Sequence, residues 1–311
     1  MNTNAAYLTR RTFLLGSGAL AASLLLPPVE VSGQKTPLIR RAIPATGELL
    51  PVMGMGTWGT FDVGNDPAAK EQLAEVVRAF FDNGGRLVDS SPMYGRSESV
   101  LGELLRATGN GEAVFAATKV WTDGQQNGIE QMRQSMERIG VDVMDLMQIH
   151  NLRDWQIHLP ILRDWKEQGR FRYIGITTSH GRFHQDLEHL LKTQPFDFVQ
   201  FTYNLEDRVA EQRLLPLAAD SGIATLINRP FQRGELFRKV KGAALPDWSK
   251  EFGCRNWAQF FLKFIASHPA VTCLIPATSK VHHLKDNMAA GFGRLPDQAL
   301  RSRMIAFYDS L

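Results

Sequence analysis

Cysteine is scarce. Cys254 and Cys273 are the only two in 311 residues, and neither sits in a CxxC or Cys/His spacing that would hold a metal. A disulfide-built scaffold and a thiolate zinc site are therefore excluded. Cys273 lies in the apolar run "AVTCLIPA" and reads as a buried small hydrophobe; a single disulfide between the two cysteines stays open at this level. An excess of one charge is also missing, since 35 Lys and Arg against 32 Asp and Glu leave a formal +3. Charge so small and so scattered gives no footprint for nucleic acid. A GxGxxG dinucleotide turn is lacking too: "GMGTWG" has the wrong spacing and no helix follows promptly. The apolar run at residues 13–26 would span about 21 Å as a helix, against a hydrocarbon core of roughly 30 Å. Internal repeats, low-complexity tracts and an interdomain linker are absent as well.

What the first segment does contain is "TRRTFLLGSGALAASLLLPP", with Arg10 and Arg11 ahead of that short apolar run. An uncleaved membrane anchor is the alternative, but the length favours a signal peptide. The segment resembles a twin-arginine (Tat) signal, with Arg10, Arg11, Phe13 and Leu14 in the motif positions. That resemblance implies a precursor handled by the Tat export machinery, carried across folded and often with a cofactor already bound. Cleavage is expected after Gly33, with Val31 and Gly33 as the small residues. Residues 1–33 are then expected to be the signal peptide, and 34–311 a domain that is periplasmic or otherwise exported, with no stable membrane insertion.

After Gly33 short apolar runs alternate with helix-period segments. Eight runs read as strands: "PVMGMGTW", "RLVDS", "VFAATKV", "VMDLMQIH", "RYIGITT", "FDFVQFTY", "IATLINR" and "VTCLIPA". Between them, Leu73, Val76, Val77, Phe80 and Phe81 keep i, i+3, i+4, i+7, i+8 spacing. Ile129, Met132, Met136 and Ile139 form a second such stripe, and Trp257, Phe260, Phe261, Phe264 and Ile265 a third. Strands mostly each followed by a helix fit a closed parallel (β/α)8 TIM barrel. An open doubly wound sheet is the rival, and it would need the Gly-rich turn that is missing. "IRRAIPATGELL" reads as a hairpin closing the barrel bottom.

Barrel chemistry sits at the C-terminal ends of the strands. Those ends carry Asp89 after "RLV", Lys119 in "VFAATKV" and His150 closing "MDLMQIH", with Tyr94 on the loop after Asp89. A buried carboxylate needs a partner, and Lys119 is the natural one. The same cation beside Tyr94 is expected to lower the phenol below its usual value of about 10 and make it a general acid. His150 would orient a substrate oxygen or transfer protons. Taken singly, each residue also has an ordinary structural reading, as a rim ion pair, a loop aromatic or a hydrogen-bonded core histidine.

In order and context the four are more specific. "VDSSPMYG" followed by "SESVLGELL", then "ATKVW" and "MDLMQIHN", resemble the motifs of the aldo-keto reductases over residues 36–311. That resemblance carries the family's catalytic tetrad onto Asp89, Tyr94, Lys119 and His150. It implies reduction of an aldehyde or ketone by NADP(H), with no metal. Hydride passes to the carbonyl carbon while Tyr94 protonates the oxygen. It also implies cofactor contacts at Gly56, Thr57 and Gln200, and an adenosine-phosphate segment "LIPATSKVHHLKDN" with Thr278, Ser279, Lys280 and Asn287. Three departures alter these contacts. Thr177 and Thr178 replace the usual Ser-Asn pair, Asn228 stands where many members stack an aromatic on the nicotinamide, and His283 stands near a usual arginine.

Trp58 and Trp121 follow strand ends and are expected to wall a substrate pocket. His158, His180, His184 and His189 read as solvated helix histidines, since no carboxylate-rich cluster accompanies them. Two other function classes remain open: a non-turnover NADP(H)-binding sensor or assembly factor on the same fold, and a metal-dependent barrel hydrolase using His150 and Asp89.

Overall fold

The computed structural model describes residues 36–311; the twin-arginine motif and the cleavage site lie outside the described residues. An antiparallel hairpin comes first, β1 (Arg40–Ala42) with β2 (Leu49–Pro51). The eight expected runs then appear as β3 (Met55–Gly56), β4 (Leu87–Asp89), β5 (Phe115–Val120), β6 (Met144–Ile149), β7 (Phe171–Thr177), β8 (Phe198–Thr202), β9 (Ala224–Asn228) and β10 (Cys273–Leu274). They pair in parallel in chain order. Bridges Met53–Leu274 and Gly56–Ala277 join the first strand to the last and close the barrel. Glycine is required at that seam: a Cβ on Gly56 would lie 2.8 Å from the Ile275 carbonyl oxygen.

Helices α1 (Pro67–Asp82), α2 (Ser97–Thr108), α3 (Gln125–Ile139), α4 (Trp155–Glu167), α5 (His184–Thr193), α6 (Leu214–Asp220), α7 (Glu235–Lys239), α8 (Trp257–Ala266), α9 (Val281–Ala289) and α10 (Gln298–Asp309) complete the described chain. The three apolar stripes do face the barrel: Leu73, Val76, Val77 and Phe80 of α1, Met132, Met136 and Ile139 of α3, and Phe260, Phe261, Phe264 and Ile265 of α8 are buried. Asp66 caps α1 by accepting from the Ala68 and Ala69 amides, with Pro67 opening the helix.

Inside the barrel, strand period two sorts the inward side chains by height. Low in the barrel they are apolar, with Leu87, Phe115, Leu146, Tyr173 and Phe198 packed on Ile43 and Leu50 of the hairpin segment. Toward the strand C-termini they turn polar, through Asp89, Lys119, Gln148, Gln200 and Asn228. The hairpin is fastened under the barrel by the Tyr173 hydroxyl, which bonds Thr46 at 2.7 Å and donates to Glu48 at 2.9 Å. Both cysteines are buried free thiols, so the open disulfide reading is settled against.

Candidate active site

Asp89 and Lys119 come from adjacent strands, β4 and β5, and are 2% and 0% exposed. Lys119 Nζ donates to Asp89 Oδ2 and to the Ser90 carbonyl, each at 2.6 Å. The other carboxylate oxygen, Oδ1, accepts from Gln148 Nε2 and from Gln200 Nε2, each at 3.0 Å. Gln200 Oε1 in turn accepts from Asn228 Nδ2 at 3.3 Å, and Asn228 Oδ1 accepts from the Thr202 hydroxyl at 2.7 Å. A line of side-chain amides therefore crosses the mouth from β9 to the ion pair.

Tyr94 follows β4 on a turn closed by its own amide donating to the Ser91 carbonyl at 3.0 Å. The Lys119 ammonium lies 5.1 Å from its ring centroid. Lys119 lowers the phenol's pKa, as the sequence suggests, but burial is the larger effect and holds it above the usual value. The expected net lowering is thus reversed, and the phenol is protonated at neutral pH. Lys119 itself is raised: burial works against its charge, while Asp89 and Tyr94 favour it.

His150 ends β6 with its ring edge-on to Tyr94, centroids 6.0 Å apart. Burial, helped by the Lys119 charge, pushes its pKa from 6.5 to about 2. It is a neutral imidazole and not a proton shuttle. Ser91 Oγ lies 3.1 Å from Nδ1 and already accepts the Met93 amide at 3.3 Å. With one hydrogen and a second lone pair free, the hydroxyl can meet Nδ1 in either neutral tautomer of the ring.

Asp89, Tyr94 and His150 line a cavity of about 430 Å³ together with Gly56, Thr57, Trp58, Thr177, Thr178, Gln200 and Asn228. Its rim is apolar and open, with Trp58 45%, Met93 40% and Phe237 38% exposed. Trp121 is not on this wall; it reaches the site through His150, centroids 6.4 Å apart, and stacks under Arg153. Thr177 and Thr178 line the wall with their hydroxyls engaged, Thr177 accepting the Asn151 amide and Thr178 donating to the Arg182 carbonyl. Thr278, Ser279, Lys280 and Asn287 do not line the cavity. Thr278, Ser279 and Lys280 continue from Ala277, which does, to the start of α9, where Thr278 Oγ1 accepts the Lys280 amide at 3.1 Å, and Asn287 is buried further along that helix. Of the four histidines read as solvated, His158 is buried against Gly128 with Nε2 on the Thr122 carbonyl, and His180 sits on the cavity rim.

Three contributors escaped the sequence reading. Ser91 and Gln148 look like ordinary strand and loop polar residues until the register is known. Arg229 follows Asn228 on the cavity wall, and its Nε and Nη1 are buried without a hydrogen-bond partner among the described residues. Next to it Arg233 lies over the Trp58 ring at 4.2 Å. The adjacent motif "NRP" was the only available signal.

A parallel barrel that gathers a buried lysine–carboxylate pair and a tyrosine at one cavity in its mouth has the layout of an enzyme's site. The Aldo/keto reductase family model matches residues 52–302, and the chain belongs to that family of oxidoreductases. Among its relatives, the aldo-keto reductase YhdN of Bacillus subtilis is 29% identical over 217 residues, covering 64% of this chain and 64% of that protein. The chain thus spans just under two thirds of that relative's length. The methylglyoxal reductase YeaE of Escherichia coli is 28% identical over 248 residues, 77% of this chain and 85% of that protein. The solved aldo-keto reductase from Klebsiella pneumoniae in complex with NADPH is 20% identical, with a TM-score of 0.71 over 87% of this chain and 96% of that one. At that identity the likeness is one of fold.

Proposed function

We propose that this protein is an exported NADP(H)-dependent reductase of small aldehydes or ketones, with Tyr94 as the proton donor. The observation that carries the reading is the buried Lys119–Asp89 pair set against a protonated Tyr94 at the wall of one cavity. The residues present fit the cofactor. Arg229 offers two unpaired buried donors suited to a diphosphate, and a guanidinium pairs well with phosphate oxygens. Gln200, Asn228, Thr177, Thr178, Gly56 and Thr57 would hold the nicotinamide end. Thr278, Ser279, Lys280 and Asn287 would hold the adenosine phosphate beside the mouth.

When bound, the reduced nicotinamide supplies a hydride to the carbonyl carbon. The chain's own residues then handle the oxygen. His150 presents a neutral imidazole to orient it. Tyr94 Oη gives up its proton as negative charge builds there, and the Lys119 charge stabilises the phenolate left behind. Asp89 keeps Lys119 charged and in place. Trp58, and Trp121 behind His150, would shape the apolar side of the substrate site.

The relative named as a methylglyoxal reductase makes methylglyoxal the first substrate to assay, with NADPH consumption as the readout. Tyr94→Phe keeps the ring and is expected to retain NADPH binding while losing roughly 100-fold or more in rate. A Tyr94→Phe enzyme as fast as wild type at saturating NADPH rejects the proposal. Wild-type protein that binds NADPH and turns over no carbonyl supports the sensor instead.

A further inference from the structure

We propose that Gln148 is a positioning residue for proton donation, holding Asp89 so that Lys119 stays against Tyr94; this rests on the reductase reading above. Asp89 is gripped at both oxygens, Oδ2 by Lys119 at 2.6 Å and Oδ1 by Gln148 and Gln200 at 3.0 Å. With Asp89 2% and Lys119 0% exposed, a lost donor leaves a buried charge short of a partner, which is costly. Gln148 pairs in register with Lys119 on the neighbouring strand, so both project to the same height inside the barrel. On its other side it pairs with Gly175, where a Cβ would come within 3.1 Å of the Gln148 Cγ. The barrel is built to admit this side chain.

Gln148 differs from Gln200 in one decisive respect. Gln200 lines the cavity, whereas Gln148 is 0% exposed and does not. Gln148 lies behind the cavity wall, so its effect on the reaction passes through its partners Asp89 and Gln200. It also accepts from Gln200 Nε2 at 3.3 Å, which fixes that amide's orientation toward Asp89. The titratable groups around the pair are few: Asp89 from β4, Lys119 from β5, His150 at the end of β6, Tyr94 on its loop, and the Cys273 thiol on β10, which burial keeps protonated. The amide adds a donor without adding a charge to this balance.

Two substitutions test the assignment. Gln148→Met keeps the volume and removes the donor. It should lower kcat about 10- to 100-fold, the usual range for a misplaced catalytic group, with KM for NADPH and carbonyl within about twofold. That loss should be the same at every pH, because methionine brings no titratable group. Gln148→Glu should behave differently. Its protonated carboxyl can donate to Asp89, so activity should be best in acid and fall as the new group ionises beside Asp89. An unchanged kcat, or a loss in both variants with the wild-type pH profile, overturns the proposal.

A second measurement needs no turnover. Gln148→Met should lower the urea midpoint of the wild type much more than that of the Asp89→Asn/Lys119→Met background, where the charges it serves are gone. Equal shifts in the two backgrounds overturn the holding role. If the wild type reduces nothing yet this coupling is present, the reductase reading fails and the clamp on Asp89 stands.

Discussion

At Tyr94 two effects of opposite sign meet, and burial outweighs the neighbouring cation. The balance suits a donor, since a raised phenol is loaded with its proton at every physiological pH. The rate of reduction should therefore be flat through neutral pH and fall only in the alkaline range, where the phenol ionises. His150 should contribute no inflection near its ordinary pKa of 6.5, because it stays neutral down to about 2. Its effect on stability has a definite sign. Between those two values the unfolded chain binds a proton that the folded chain refuses, so stability falls as the pH is lowered below 6.5. The slope is at most about 1.4 kcal/mol per pH unit. Urea unfolding of wild type and His150→Asn at pH 7, 6 and 5 should show the wild type losing stability faster; parallel losses would rule out a desolvated His150. The sequence displayed the partners of this site because strand ends are visible as the last polar residue of an apolar run. It could not display the direction of the Tyr94 shift, which depends on how deeply the loop folds in.

Among the elements, the segment after β9 departs most from what its letters suggest. Arg229, Gln232 and Arg233 all have left-handed backbones, with φ of 50°, 46° and 56°. Such conformations cost non-glycine residues about 1 kcal/mol or more each, and they aim Arg229 along the cavity wall. Arg229→Met should weaken NADPH binding by roughly 10-fold or more, the scale of a lost hydrogen bond to a charged group. Fluorescence titration with NADPH checks this, and an unchanged Kd removes Arg229 from the cofactor site. The helix stripes were easier to read, because three turns of repeated spacing leave no second interpretation. "PVMGMGTW" was harder. It reads as one strand, but its first residue ends the hairpin and only Met55–Gly56 joins the barrel as a strand. Pairing partners decided that division: Pro51 pairs with Arg40, Met55 and Gly56 pair with Val88 and Asp89, and Met53 between them bridges to Leu274.

For the molecule as a whole, we propose a folded cargo that leaves the cytoplasm with its site assembled, motivated by "TRRTFLL" ahead of a short apolar run. Replacing Arg10 and Arg11 together with lysine should leave the precursor in the cytoplasm, as fractionation and immunoblotting would show. Normal export of the double-lysine form would sink the idea. A barrel filled with side chains suits such a passage, because its core does not depend on disulfides formed after export.

The hairpin of β1 and β2 also has a bearing on traffic. Among the described residues, Ile43, Leu50 and the Tyr173–Glu48 contact seal one end of the barrel, and the cavity opens at the other. Two ligands in such a blind-ended chamber cannot pass one another. We propose on this ground that a ligand seated deeper, against Gln200 and Asn228, arrives first and departs last, while a shallower one comes and goes over it.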